Sequence, residues 1–270
     1  MNDFNNSEYI IETEPSKDYI SYAWRTAIGL QDVDGLKPSK YLKSIAEQNI
    51  DGEISINEAQ VLINSYYKEK SIREDEIEGV EEADKVSARI ALLLSENTFS
   101  FTPAELISIH GQLFDGIYEH AGKFRNYNIS KKEWVLNGAS VIYGSANNLR
   151  SALSYDFESE KNFSYIGLSI DDTIYHLAKF VSNIWQIHPF GEGNTRTVAV
   201  FFIKYLRTLG FKAENDMFEK NSWYFRNALV RANYADLQNG IERTYEYIDK
   251  FLRNLLFNEH SNLNNLDLRI

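Results

Sequence analysis

Ten consecutive residues, His188-Pro189-Phe190-Gly191-Glu192-Gly193-Asn194-Thr195-Arg196-Thr197, bring together a base, a carboxylate, two glycines and a cation. His188 is the one residue of the ten able to accept a proton near neutral pH. Gly191 and Gly193 permit the close approach or left-handed backbone of an anion cradle, and a helix starting there aims the amides of Gly193, Asn194 and Thr195 into it. Arg196, in the first turn of that helix, can fork two phosphate oxygens. Glu192 is a single carboxylate placed to hold Mg²⁺ against the same phosphates. Taken singly, each has an ordinary reading as a core histidine, a loop carboxylate or a helix-connecting turn. In this order they point to phosphate chemistry. A P-loop is excluded, because no Gly-Lys-Ser/Thr follows at the required spacing.

The elements that must position these residues read as helices, and the expected fold class is all-α. Leu177, Val181, Ile184 and His188 share helical spacing, so a helix over Asp171–Ile187 ends at the decapeptide, where Pro189 breaks it. A second helix opens near Asn194, runs through Val198, Phe201, Phe202, Tyr205 and Leu206, and stops at Gly210. Upstream, Tyr19–Leu30, Pro38–Gln48 and Ser55–Tyr67 form a three-helix unit at 17–70, with Ser55 and Glu58 as a capping box. The charged stretch from Lys68 to Asp84 reads as the solvated start of a long helix rather than as a linker. Thr102-Pro103 starts another helix. Trp223–Ala232 and Gly240–Phe257 are two more, and residues 258–270 form a frayed tail. One exception interrupts the helices. Asn137-Gly138 lies between Trp134-Val135-Leu136 and Val141-Ile142-Tyr143, which predicts a β-hairpin.

With 270 residues and 43% hydrophobic content, the chain can build one sizeable core, or a core plus a small extra domain. A net charge of −11 and no Lys/Arg stripe argue against a nucleic-acid surface and for a protein or small-molecule partner. Without cysteine there are no disulfides or thiolate metal sites. Met1–Pro15 lacks an apolar leader run and no segment reads as a membrane span, so the expected location is the cytoplasm. Self-association is left open.

At the decapeptide the chain resembles the Fic family, whose motif is His-x-Phe-x-Asp/Glu-Gly-Asn-Gly-Arg-x-x-Arg; His188, Phe190, Glu192, Gly193, Asn194 and Arg196 match. The likeness takes in His110, the Tyr118 to Arg125 stretch, the Asn137-Gly138 segment and Trp223 to Leu229, so it spans roughly 82–257. It implies a helical bundle with one hairpin flap, and transfer of AMP from ATP to a Tyr, Thr or Ser hydroxyl of a target protein. By that resemblance His188 is the general base, and Phe190 packs beneath the loop. Glu192 holds Mg²⁺ on the α- and β-phosphates, Asn194 meets the α-phosphate, and Arg196 meets the β-phosphate. Trp134, Val135, Leu136, Val141, Ile142 and Tyr143 form the target-docking flap, and Tyr224 and Asn227 line the base and ribose pocket.

Two positions depart from the motif. Its second glycine is Thr195 and its last arginine is Ala199. Doc-type kinases of the same superfamily also lack that arginine, which keeps phosphorylation as an alternative; a non-catalytic nucleotide-sensing module is a third reading. Residues 23–63 resemble the small antitoxins that silence Fic toxins, through Val33-Asp34-Gly35-Leu36-Lys37-Pro38-Ser39 and Asp51-Gly52-Glu53-Ile54-Ser55. The antitoxin inhibitory signature is Ser/Thr-x-x-x-Glu-Gly/Asn. Its candidate equivalents here are Asp34-Gly35 and, further on, Glu78-Gly79. With Ala at 199 neither carboxylate has the arginine partner the resemblance implies, so inhibition is expected to be weak or steric.

Overall fold

A computed structural model of the chain describes the backbone of residues 15–70 and 76–270, and the side chains of 15–69 and 79–270. Ten α-helices occur among the described residues. The all-α expectation holds. α1 (Lys17–Gly29), α2 (Lys40–Ile50) and α3 (Ile56–Lys70) come first, with a 3₁₀ turn over Leu30–Asp34 between α1 and α2. α4 (Glu76–Ser95) and α5 (Pro103–Phe114) follow, then α6 (Leu149–Lys161), α7 (Ile170–Ile187), α8 (Asn194–Thr208), α9 (Met217–Ala232) and α10 (Glu246–Phe257). No helix among the described residues is long and apolar enough to cross a membrane.

Caps fix several of these elements. Ser55 Oγ accepts from Glu58 N at 3.2 Å while Glu58 Oε2 accepts from Ser55 N at 2.7 Å, the reciprocal box expected for α3. Thr102 caps α5, with Pro103 in its first turn. α7 is capped by Ser169 and carries Asp171 and Asp172 in its first turn, where the helix dipole favours negative charge. Its apolar stripe of Ile174, Leu177, Val181 and Ile184 is buried. α8 is buried all round from Asn194 to Leu206, as befits a central helix.

One continuous core runs through the helices, from Ala23 in α1 to Leu268 near the C-terminus. Two buried polar hubs tie it together. Asp84 of α4 accepts from Ser39 N (2.8 Å), Ser39 Oγ (2.5 Å) and the Tyr67 hydroxyl (2.7 Å), fastening α2 and α3 to α4. Glu160 of α6 accepts from the hydroxyls of Tyr165 and Tyr205 at 2.5 Å each and pairs with His176 Nε2 at 2.6 Å, joining α6, α7 and α8. Gly29 lets α1 meet α9 directly: a Cβ there would lie 2.4 Å from Glu219 Cα. This contact carries the Leu30–Asp34 turn toward the decapeptide.

Two expectations are corrected. The flap has its turn, with Asn137 and Gly138 both in the left-handed region (φ 50° and 90°), yet its ladder shrinks to one antiparallel bridge between Lys132 and Ser140. Trp134–Leu136 winds into a 3₁₀ turn, and Val135, Leu136 and Val141 all enter the core, so the alternation of a two-faced hairpin is absent. The tail is not frayed. Leu268 is fully buried, Ile270 N donates to Val135 O at 3.0 Å, and Arg231 donates to Leu268 O at 3.0 Å.

Candidate functional site

α7 ends at His188, which adopts a left-handed backbone (φ 50°, ψ 60°), a conformation costing a non-glycine residue about 1–2 kcal/mol. The turn folds the imidazole back onto the helix end, placing Nδ1 3.0 Å from Trp185 O. A carbonyl only accepts, so Nδ1 carries the proton and Nε2 keeps its lone pair. Burial lowers the proton affinity of His188 to a pKa of about 3; the Trp185 carbonyl opposes this, and the charges of Arg226, Lys131 and Arg125 add to it. The imidazole is therefore neutral at pH 7 and able to act as a base.

Arg125 holds the backbone around it. Its Nε donates to His188 O at 2.8 Å, its guanidinium also reaches the carbonyls of Tyr127, Gly144 and Ile187, and its own N donates to Pro189 O. The last carbonyls of α7 thereby gain a charged donor. Composition gives no signal for this role. A lone arginine following Gly122 is the only trace of it in the sequence.

The loop after His188 is clamped from below. Phe190 is fully buried and stacks on His110 with ring centroids 3.7 Å apart. His110 accepts from Gly122 N at Nδ1 (2.9 Å) and donates from Nε2 to Glu192 O (3.1 Å), and burial lowers its pKa to about 4. Asn194 spans the loop with both ends of its amide on the Phe190 backbone, at 3.0 and 2.9 Å. Gly193 has φ 72°, and a Cβ on it would lie 2.3 Å from the Phe114 ring, so only glycine fits. The N–H groups of Gly193, Asn194, Thr195 and Arg196 donate to no acceptor among the described residues. They form the open end of α8.

Thr195 adds a side chain where the motif has glycine, and that side chain turns away from the cradle. Its hydroxyl accepts from Trp185 Nε1 at 2.9 Å, deep in the core. The amide of Thr195 stays on the cradle side.

A cavity of about 270 Å³ is lined by His188, Gly191, Glu192, Gly193, Asn194 and Thr195 from the decapeptide, with Asp34, Ile129, Ser130, Lys131, Tyr143 and Arg226 around them. Glu192 is exposed there, and its carboxylate has no hydrogen bond or ion pair among the described residues. No group of three or more His, Asp or Glu poised for a metal occurs among the described residues.

Arg196 is placed otherwise than its expected role requires. It is 1% exposed and does not line the cavity. Its NH2 donates to Glu82 Oε1 at 2.6 Å, its NH1 to Gln31 Oε1 at 3.0 Å, and its ring neighbour is Phe114. Its Nε lies 2.9 Å from Asp34 Oδ2, a contact of opposite charges without an aligned hydrogen bond. Asp34 thus has an arginine partner after all, at 196 instead of 199. Ala199 itself is fully buried. The side chain of Glu78, the other regulatory candidate, lies outside the described side chains.

The remaining candidates divide. Tyr143 packs against His188 with ring centroids 4.0 Å apart and planes tilted by 32°, and its hydroxyl contacts Glu133. Ile142 is 83% exposed and Trp134 is also exposed, whereas Val135, Leu136 and Val141 are core residues with nothing to offer a docking partner. Tyr224 and Asn227 are buried on the far face of α9, where Asn227 Nδ2 donates to Asn265 Oδ1 at 2.8 Å. The face of α9 toward the site presents Trp223 and Arg226, which line a neighbouring cavity with Asp32–Gly35 and Lys131–Trp134.

Residues 100–206 match the model of the Fic/DOC family. The chain is 26% identical over 162 residues to the "Protein adenylyltransferase VbhT" of Bartonella schoenbuchensis, covering 52% of this chain and 33% of that protein. It is 30% identical over 135 residues to the "Probable protein adenylyltransferase y4lH" of Sinorhizobium fredii, covering 48% and 64%. It therefore spans less than two thirds of the length of either relative. Among solved structures, a Fic family protein from Desulfovibrio desulfuricans has the same fold over 90% of this chain and 64% of its own, with TM-score 0.55 and 14% identity. The ADP-bound N-terminal Fic domain of a VirB-translocated Bep effector protein from Bartonella quintana does so over 68% and 86%, with TM-score 0.53 and 18% identity.

Proposed function

Residues 100–206 of this chain match the Fic/DOC family, and from that premise we propose that the protein is an adenylyltransferase moving AMP from ATP to a Tyr, Thr or Ser hydroxyl of a target protein. The observation that carries this reading is a neutral His188, with Nδ1 committed to a carbonyl and Nε2 left to accept a proton, beside four undonated backbone N–H groups. His188 takes the proton of the acceptor hydroxyl as its oxygen bonds to the α-phosphorus, and the bond to pyrophosphate breaks. The amides of Gly193, Asn194 and Thr195 stabilise charge building on the α-phosphate. Asn194 serves through its backbone, since its side-chain amide is spent on Phe190.

The donor set fits Mg²⁺ held jointly with phosphate: Glu192 supplies one uncommitted carboxylate in the cavity, and no protein-only metal cage accompanies it among the described residues. When bound, Mg²⁺ would neutralise charge on the α- and β-phosphates. Ile142 and Trp134 of the flap meet the target, which pairs with flap backbone. The names of the two adenylyltransferase relatives and the ADP held by the Bartonella quintana domain agree with this reading.

Regulation belongs to the same proposal. Residues 17–70 act as a fused inhibitor, and the Asp34-Gly35 turn restrains the enzyme by withholding Arg196 from the β-phosphate. Intact-mass and peptide mapping of proteins incubated with the enzyme and Mg-ATP tests the reaction. A gain of one AMP that His188→Ala abolishes supports it. A gain of one phosphate moves the assignment to a kinase. Tight ATP binding without any product leaves a nucleotide-sensing module.

A further inference from the structure

The cavity over the glycine turn and the second cavity, of about 410 Å³, share three lining residues: Asp34, Lys131 and Arg226. Two of the three are cations, in a chain whose net charge is −11. They are also the only Lys or Arg side chains lining the first cavity among the described residues. Arg196 is absent from that lining and already satisfies Glu82, Gln31 and Asp34. Position 199 supplies only a buried alanine.

The two shared cations differ in commitment. Lys131 is exposed at the root of the flap and makes no hydrogen bond or ion pair among the described residues. Arg226, 4% exposed on α9, gives one N–H from each of NH1 and NH2 to Glu133, at 2.8 and 2.9 Å. A guanidinium has five N–H donors, so three remain after Glu133 is served. Glu133 is itself buried, which fixes the Arg226 head at the junction. Both charges reach the base, since Arg226 and Lys131 each contribute to the lowered proton affinity of His188.

We propose that Lys131 and Arg226 form the subsite for the terminal phosphate of a nucleoside triphosphate whose α-phosphate lies in the glycine-turn cradle. The inference rests on the nucleotide-transfer reading above. The subsite counts phosphates: a triphosphate with its α-phosphate in the cradle has a third phosphate to place on the two cations, and a monophosphate has none. Asp34 stands at the same junction, so a third phosphate also repels the carboxylate that restrains Arg196.

Calorimetric titration of Mg-ATP and AMP tests it, with the native chain, Lys131→Gln and Lys131→Glu, each also carrying Asp34→Ala to remove the competing carboxylate. Lys131 is exposed and unpaired, so its variants keep the fold, whereas truncating Arg226 would strand buried Glu133. The expected result is a loss of ATP affinity of about tenfold in Lys131→Gln and more in Lys131→Glu, with AMP affinity unchanged. Unchanged ATP affinity in both variants, or equal losses for ATP and AMP, overturns the subsite while leaving the reaction standing. A native chain and an Asp34→Ala chain that bind neither nucleotide overturn the reaction, and the subsite with it.

Discussion

Thr195 links the anion cradle to the base through two bonds. Its hydroxyl accepts the Trp185 indole N–H, and the Trp185 carbonyl fixes His188 Nδ1. Thr195→Val keeps the shape but leaves a buried N–H unpaired, which should destabilise the protein by about 1–3 kcal/mol in urea denaturation, while Thr195→Ser should lose much less. Equal behaviour of the two variants would contradict the link. His110 makes a pH prediction. Its two nitrogens are committed as one acceptor and one donor, so protonating Nδ1 would set an N–H against Gly122 N–H. Its folded pKa of about 4 lies below the ordinary 6.5, so the unfolded chain binds more protons between those values. Stability is full above pH 6.5 and falls as pH drops toward 4, by about 3 kcal/mol for this group. His188 shifts in the same direction. Denaturation midpoints at pH 7 and pH 4.5 should converge in His110→Gln relative to the native chain.

At the scale of elements, the C-terminal tail and the flap form one unit. Besides the Ile270–Val135 bond, Asn137 Nδ2 donates to Ile270 O at 2.5 Å, and Arg269 reaches Asn137 and covers Trp134. Deleting residues 264–270 should speed amide exchange across 133–139 by about tenfold or more in hydrogen–deuterium exchange, leaving α7 and α8 unchanged. No change in the flap would mean that the tail merely rests on it. The flap also marks where sequence reasoning reaches its limit. Asn137-Gly138 specifies the turn through backbone preference alone, and the turn is there. The strands depended on alternation, which fails because Val135, Leu136 and Val141 all enter the core. α6 carries little sequence signal, since Leu149, Leu153 and Phe157 make a narrow stripe amid polar residues. The helix expected over Trp223–Ala232 is present in α9, whereas Tyr224 and Asn227, which the family resemblance puts at the pocket, lie away from the site. Nearly every side of the helix is buried, and the break at Asn221 (φ −128°, ψ 23°) helps set its rotation, so periodicity could not distinguish Trp223 and Arg226 from Tyr224 and Asn227. The decapeptide was legible because its chemistry is local; the partners of Arg196 were not, because Gln31 and Glu82 come from distant segments.

Across the whole molecule, the first helices and the rest of the helical bundle share one core, and the Leu30–Asp34 turn reaches the start of α8. Asp34 and Glu82 hold Arg196 from two sides. Asp34→Ala should therefore raise the rate of transfer by about tenfold, because the minor state with Arg196 available gains population. An unchanged rate in single-turnover kinetics would remove Asp34 from regulation. The central claim is that His188 drives transfer of the nucleotidyl group. Its most direct measurement is paired labelling of target or self with α-³²P-ATP and γ-³²P-ATP, using the native chain, Asp34→Ala and His188→Ala. The account predicts Mg²⁺-dependent label from the α-phosphate alone, increased in Asp34→Ala and absent in His188→Ala. Label arriving from the γ-phosphate, or α-label that persists in His188→Ala, would contradict it.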